Sequence, residues 1–473
     1  MQYNDAVDRT RVRSLSSAVL IAAVVAVQCS AFGGAFQFDD FFAILLNPHL
    51  EGWQAFVQHL GHMVRPVLHA TFLVDRALYG NSPAGYHALN FVLHVVSTLI
   101  VYRVLVLGVT ESDRSVPFWT ALVFFIHPLT TETITYISGR ASGLMAFFYL
   151  TAFFLYIRAS NGEGGAPVRR LYLAGAVVSY LLSFGAKETA MTFPLVLILW
   201  DVLLSQSKAA SLRRTCFVYH VPFWIVLCAV ALWAWRHPRY AELAQFSFTL
   251  RPLWSNILSE VHAVAYAVLL FFIPWKQNFD HDLPEFHSPF EWPLPLDLAL
   301  LAGLVIGAII AARRLPLASF GVGWFLVLLL PTSLIPRADL LSERNLYPAF
   351  LGLALVTVVL ASRLVKWLVR FAPHPRLGRM TATSGAIGLI LVLCLCTYQR
   401  NVVYQDEISL WSDTIQKSPN KARAHNNLGH AYAMQGNWEM ATEKFRIAAR
   451  LDPDYALAQR NLRDAYLHLV ERD

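Results

Sequence analysis

The sequence predicts an all-α fold: a polytopic helical membrane protein with about eleven spans, followed by a short C-terminal helical solenoid. Two observations carry this. The 473-residue chain is 56% hydrophobic and only 15% charged, whereas a soluble domain has about 25% charged residues. Apolar runs approaching the roughly 20 residues that a spanning helix needs recur up to about residue 400, and the composition then turns polar. The expected domains are therefore 1–400 in the bilayer and 401–473 outside it. A formal charge of +7 says little about nucleic acid in such a chain. The distribution of Lys and Arg matters more, because they collect in cytoplasmic loops.

The first run, about 14–33, follows Arg9, Arg11 and Arg13. The stretch CSAFGGA offers small residues for signal cleavage, but the run is read as an uncleaved anchor. Further spans read at about 86–109, 116–128, 141–158, 170–185, 189–205, 216–235, 297–312, 316–335, 345–363 and 381–398. The basic stretches RVR, RASNGEGGAPVRR, KAASLRR, ARR and RLVKWLVRFAPHPRLGR, with Arg114, set the cytoplasmic side. An odd number of spans then puts the C-terminus on the outer side. The run 257–273 disturbs the parity. It is apolar enough to cross, yet both its flanks suit the outer side, so it is read as re-entrant or lying along the surface. Cys29, Cys216, Cys228, Cys394 and Cys396 all lie in or beside apolar runs, and neither a disulfide framework nor a zinc site is expected.

Beyond residue 400, ARAHNNLGHAYAMQGNWEMATEKFRIAARLDPDY fits the 34-residue tetratricopeptide repeat (TPR). Leu428, Gly429, Tyr432, Ala441, Phe445, Ala448 and Pro453 fall at the expected offsets, with His425 where Trp is usual. Trp411 and Pro419 mark a preceding half-repeat, and Leu462 and Tyr466 a following one. Four stacked helices are expected over about 405–470. They bury faces that a single repeat would leave wet.

The expected outer loops gather an unusual set of residues. The first holds Asp39, Asp40, His49, His59, His62, Arg65 and His69. PLTTETITYISGR holds Glu132 and Arg140, with His127 just before it. FGAKETA holds Lys187 and Glu188, and PRADLLSERNLYP holds Arg337, Asp339, Glu343 and Arg344. A lone basic residue at a helix end is commonly a snorkelling anchor. Two adjacent carboxylates after an apolar run are harder to explain, since one charge at the bilayer centre costs about 3 kcal/mol or more. The aspartates and histidines are metal-ligand types, but no HxxxH or HxH spacing supports a divalent metal site.

The blocks FDDFFAILLNP, RPVLHATFLVDRALYGNSPAGYHALNFVLHVV, HPLTTETITYISGRASGLMA, GAKETAMTFPLVLILWDVLL and LSERNLYP, followed by TPRs, resemble the transmembrane-and-TPR-containing protein O-mannosyltransferases. These belong to the GT-C class of membrane glycosyltransferases. The resemblance covers nearly the whole chain, but this chain carries about one full repeat where relatives often carry longer arrays. It implies a GT-C-like fold and transfer of a sugar, mannose by the family's name. The sugar would move from a polyprenyl-phosphate carrier to a protein Ser or Thr hydroxyl on the extracytoplasmic face, with inversion. The short loops read as bacterial, which would place the protein in an inner membrane with undecaprenyl phosphate as carrier. It further implies that Asp39 or Asp40 is the general base and that Lys187, Arg344, Arg140 and Arg65 hold the donor phosphate. His127, Glu132, Glu188 and Glu343 would support them. The partners would be the lipid-linked donor, the bilayer, and an acceptor protein or peptide, with no nucleic acid; the TPR groove either binds a peptide or simply caps the membrane domain. Two rival classes stand beside this reading. A lipid or sugar transporter predicts polar residues deep within spans and a repeated membrane half, and neither is evident. A non-catalytic TPR assembly protein gives no reason for the outer charge cluster.

Overall fold

The computed structural model describes Val27 and residues 29–108, 115–162, 164–204, 219–371 and 375–471. Most of the expected first span, Arg114, the whole of 208–214 and the cysteine at 216 lie outside the described residues. The longer helices are α1 (Trp53–His59), α2 (Pro66–Tyr79), α3 (Pro83–Gly108), α4 (Val116–Ile126), α5 (Arg140–Ser160) and α6 (Ala166–Ala186). They continue as α7 (Phe193–Leu204), α8 (Val221–Arg236), α9 (Pro238–Leu250), α10 (Leu253–Phe272), α11 (Leu294–Ala311) and α12 (Pro316–Leu334). The last are α13 (Phe350–Phe371), α14 (Pro375–Val403) and, in the repeats, α15 (Glu407–Lys417), α16 (Ala422–Met434), α17 (Trp438–Leu451) and α18 (Ala456–Val470). Proline occupies the first turn of α2, α6, α8, α9 and α12. Its missing N–H costs nothing there, and its fixed φ is already helical.

Seven of these helices are long and apolar enough to cross a membrane, and an eighth if the bent pair α8–α9 is one span. Among the described residues, α3–α8 and α11–α14 run alternately between two faces. At one face, Tyr156 of α5 meets Asp201 of α7 and His220 before α8. The basic residues Arg158, Arg169, Arg170, Arg313, Arg314 and Arg370 belong to the helix ends on that side. At the other, Asn90 of α3 bonds the carbonyl of Ile134, Lys187 after α6 bonds Ser142 of α5, and Arg400 of α14 reaches Glu343. This second face carries the candidate site. Helices α12 and α13 touch at glycines: a Cβ on Gly352 would lie 2.2 Å from the Gly321 carbonyl, so only glycine permits the contact.

Two expected spans are short. The reading of 116–128 becomes the 11-residue α4, because the chain turns extended at His127 ahead of Pro128. The reading of 189–205 becomes a 3-10 turn, Glu188–Thr192, and the 12-residue α7. The ambiguous run at 257–273 is one continuous helix, α10, about 30 Å long at 1.5 Å per residue. Both its ends meet the site face. Asn256 donates to the Ser333 carbonyl at the end of α12 (2.9 Å), and the Phe271 carbonyl bonds His127 after α4 (2.9 Å). Helix α10, itself one of the seven helices long and apolar enough to cross, thus has both of its ends at the site face.

The repeats form the four expected helices. They sit on the site face, continuous with α14 through Tyr404. Trp411 is fully buried, and Phe445 packs under Gly429. Arg423 bridges Asp280 and Asp339, and Arg400 bridges Asp413, joining the repeats to the membrane part.

Candidate active site

The adjacent aspartates part ways. Asp40 turns inward and is fully buried. Its Oδ1 accepts from the Ser138 N–H (2.8 Å) and hydroxyl (2.5 Å), and its Oδ2 from the Gln37 N–H (3.0 Å). These bonds suture the segment 37–40 to the turn Ile137–Gly139. A Cβ on Gly139 would stand 2.1 Å from the Glu132 carbonyl, so the turn closes only with glycine there. Burial pushes the Asp40 carboxyl up to about 7, against the pull of the Ser138 and Gln37 bonds. Asp39 turns outward. Its side chain is 45% exposed, its N–H donates to the Tyr136 hydroxyl (3.0 Å), and its Oδ2 lies 3.5 Å from Arg344.

Asp39 lines a cleft of about 520 Å³ together with Arg65, Lys187, Arg239, Arg337 and Arg344. Arg344 sits on the single turn Glu343–Leu346, its guanidinium over the Tyr136 ring and 3.8 Å from Glu132. Glu132 is buried and accepts from the Arg344 N–H (3.0 Å) and the Ser342 hydroxyl (3.3 Å). Burial raises its carboxyl to about 7, although Arg344 opposes this. Lys187 caps α6 and donates to Ser142 (2.6 Å) and Asn345 (2.5 Å). Burial holds its amine well below the usual lysine range, and Arg65, Arg337 and Arg344 push the same way. Arg65 forks onto Glu188 (3.1 and 2.9 Å), which also accepts from Tyr240 (3.4 Å).

Three sequence candidates stand elsewhere. Arg140 was expected to meet phosphate, but it is fully buried and does not line the cleft. Its guanidinium is held by Asp75 (2.5 Å), Asn90 (2.6 Å), Thr71 (3.2 Å) and the Tyr86 carbonyl (2.8 Å), over the Phe72 ring. Its partners lie on α2 and α3, which no local spacing announces. Glu343 points away from Arg344 and accepts from Gln277 (2.6 Å), the Asn278 N–H (2.6 Å) and His281 (2.9 Å). His127 stacks on Phe271 and accepts from the Leu129 N–H (3.2 Å). The His49 and His59 rings meet at a tilt, centroids 4.4 Å apart, and His69 lines the cleft. Among the described residues no group of three or more His, Cys, Asp or Glu is placed to hold a metal ion.

Arg239, Ser142, Asn345 and Tyr240 escaped the sequence reading. Arg239 had a signal: it follows an apolar run in WAWRHPRY. Helix α9, which carries it, meets α8 at an 81° bend. A second groove, about 490 Å³ and apolar, lies between α6 and α8 and shares Val64 and Glu188 with the cleft.

Fold and site together define an integral membrane protein of the all-α class, with a cationic cleft at its helix ends and a repeat module on the same face. A tetratricopeptide repeat family profile matches residues 422–455. The chain's homologues are protein O-mannosyl-transferases. It is 25% identical to one from Caenorhabditis elegans over 92% of this chain and 63% of that protein. It is likewise 25% identical to protein O-mannosyl-transferase TMTC1 of Homo sapiens, over 96% of this chain and 57% of that one. The chain thus spans about half to two thirds of the length of these relatives. Among solved structures, ArnT from Cupriavidus metallidurans bound to undecaprenyl phosphate aligns over 89% of this chain and 81% of that one, with 13% identity and a TM-score of 0.46.

Proposed function

We propose that this protein is an inverting membrane glycosyltransferase. It would move a sugar from a polyprenyl-phosphate carrier to an acceptor hydroxyl on the extracytoplasmic face. The observation that carries this reading is the cleft, which five basic side chains line together with one outward-facing carboxylate, Asp39. Among the described residues the other carboxylate in its lining, Glu188, is occupied by Arg65. The names of the relatives favour mannose as the sugar and a protein as the acceptor. The basic helix ends gather opposite the site, which favours a cytoplasmic placement for that end and an extracytoplasmic one for the site. The apolar groove beside the cleft suits a polyprenyl chain whose phosphate reaches the cations.

In this reading Asp39 takes the proton of the acceptor hydroxyl. The hydroxyl oxygen attacks the anomeric carbon on the side opposite the phosphate. The bond from carbon to phosphate oxygen breaks, and its electron pair leaves with the phosphate. Lys187, Arg344, Arg337 and Arg65 face the charge that develops there, where exclusion of water makes each donor count most. The Asp40 carboxylate has its acceptor sites filled by Ser138 and Gln37 and aims the segment rather than taking the proton. Arg140 fixes α5 against α2 and α3.

Purified full-length protein, given a panel of polyprenyl-phosphate sugars and a Ser/Thr peptide, should release polyprenyl phosphate and form a glycosylated peptide with at least one donor. Absence of both products across the panel would overturn the reading.

A further inference from the structure

We infer that the first repeat helix is part of the catalytic apparatus, with Glu407 a positioning residue that holds the Phe38–Asp39 backbone and so aims the Asp39 carboxylate. This rests on the reading of Asp39 as the base. The starting point is Phe38, which has φ of 45° and is the one non-glycine residue with positive φ among the described residues. A bulky side chain in the left-handed region is strained and persists only where its surroundings over-determine it. Here the surroundings come from the repeat domain, its link to α14, and Phe279 between α10 and α11. The Phe38 N–H donates to Glu407 Oε1 (3.3 Å). The Phe38 ring stands edge-on to Trp411 at 5.4 Å and to Phe279 at 5.8 Å. Just before it, Gln37 donates to the Tyr404 carbonyl (2.5 Å) and the Ala35 N–H to the Gln405 carbonyl (3.2 Å). Asp39 follows directly; on the membrane side its N–H donates to Tyr136 (3.0 Å) and its Oδ2 meets Arg344 at 3.5 Å.

The consequence is mechanical. Where the Asp39 side chain leaves the backbone depends on the φ and ψ of Phe38, and Phe38 is held between α15 and the membrane part. A displacement of about 1 Å at a reacting group can cost on the order of 10²-fold in rate. The repeats also reach a second segment that lines the cleft, since Arg423 holds Asp339 (2.5 Å), two residues from the cleft-lining Arg337. An acceptor seated on the repeats would therefore act on the same body that sets the base. If the repeats merely capped the membrane part, perturbing them would change stability alone.

The test uses the full chain and three variants. Glu407→Ala removes the acceptor for the Phe38 N–H, and Glu407→Gln keeps one in its amide oxygen. Phe445→Leu loosens the repeat core away from Phe38. For peptide glycosylation, Glu407→Ala should lower kcat by about tenfold or more while the donor KM stays within about twofold. Glu407→Gln should restore most of the rate, and Phe445→Leu should keep it. Hydrogen exchange at Phe38 and Asp39 should accelerate in Glu407→Ala alone. The inference is overturned if Glu407→Ala keeps near-normal kcat, if glutamine is as poor as alanine, or if Phe445→Leu loses as much. If the unaltered protein transfers no sugar, the glycosyltransferase reading falls and hydrogen exchange decides the clamp: unchanged protection in Glu407→Ala overturns it, and accelerated exchange supports it.

Discussion

Replacing Asp39 and Asp40 by asparagine, one at a time, separates chemistry from architecture at two neighbouring positions. Asp39→Asn removes the proton acceptor and little else. Its pairing with Arg344 is long, at 3.5 Å, with side chains 45% and 22% exposed, so the stability cost should be about 0–1 kcal/mol. A general base contributes about 10²–10⁴-fold, which is roughly 2.7–5.5 kcal/mol of barrier. Asp40→Asn does the reverse. All three of its partners donate to the carboxylate, so an amide NH2 must face a donor. One buried bond is lost, costing about 1–3 kcal/mol of stability. The assay pairs turnover of lipid-linked sugar onto peptide with thermal unfolding in detergent. The account expects Asp39→Asn to lose turnover by about 10²-fold or more at near-normal stability. Asp40→Asn should lose stability and keep part of its turnover. Near-normal turnover in Asp39→Asn, with a dead but stable Asp40→Asn, would refute the assignment.

Lys187→Met and Arg344→Lys should each weaken donor use by roughly 10- to 150-fold, the value of one charge-assisted bond to phosphate. The double variant should lose less than the product of the two, since both serve one phosphate, as double-mutant kinetics would read. Arg140→Met should leave Asp75 buried without its partner and cost about 3–5 kcal/mol of stability, with donor KM in the surviving folded fraction near normal. Asp40 also predicts a pH trend. Its folded pKa of about 7 lies above the ordinary 3.8, so the native state binds more protons than the unfolded state between those values. Its contribution is fully present below about 3.8 and is lost as pH rises through about 7. Melting temperature measured from pH 5 to 8 should fall less steeply in Asp40→Asn.

The spans and repeats were legible because hydropathy and the TPR offsets are local signals. The site was legible in outline for a related reason: in so apolar a chain, charges at helix ends stand out. The facing of side chains was not legible. Asp39 and Asp40 are neighbours in sequence, yet one looks into the cleft and the other into a buried turn, a choice made by Ser138 about a hundred residues on. Arg140 and Arg344 read alike as basic residues at helix ends. Asp75 on α2 claims the first and leaves the second to the cleft. Arg239 escaped notice because only the bend between α8 and α9 brings it over the cleft. The contact of Trp411 with Phe38 was equally hidden, since it joins residues far apart in the chain.

The most direct measurement is an experimental structure of the full-length protein with polyprenyl phosphate bound in a lipid nanodisc. The account predicts the phosphate within hydrogen-bond distance of Lys187 and Arg344, the polyprenyl chain in the groove between α6 and α8, and the Asp39 carboxylate facing the space where the sugar would sit. A phosphate bound at another surface, or one in the cleft that touches neither Lys187 nor Arg344, would contradict it.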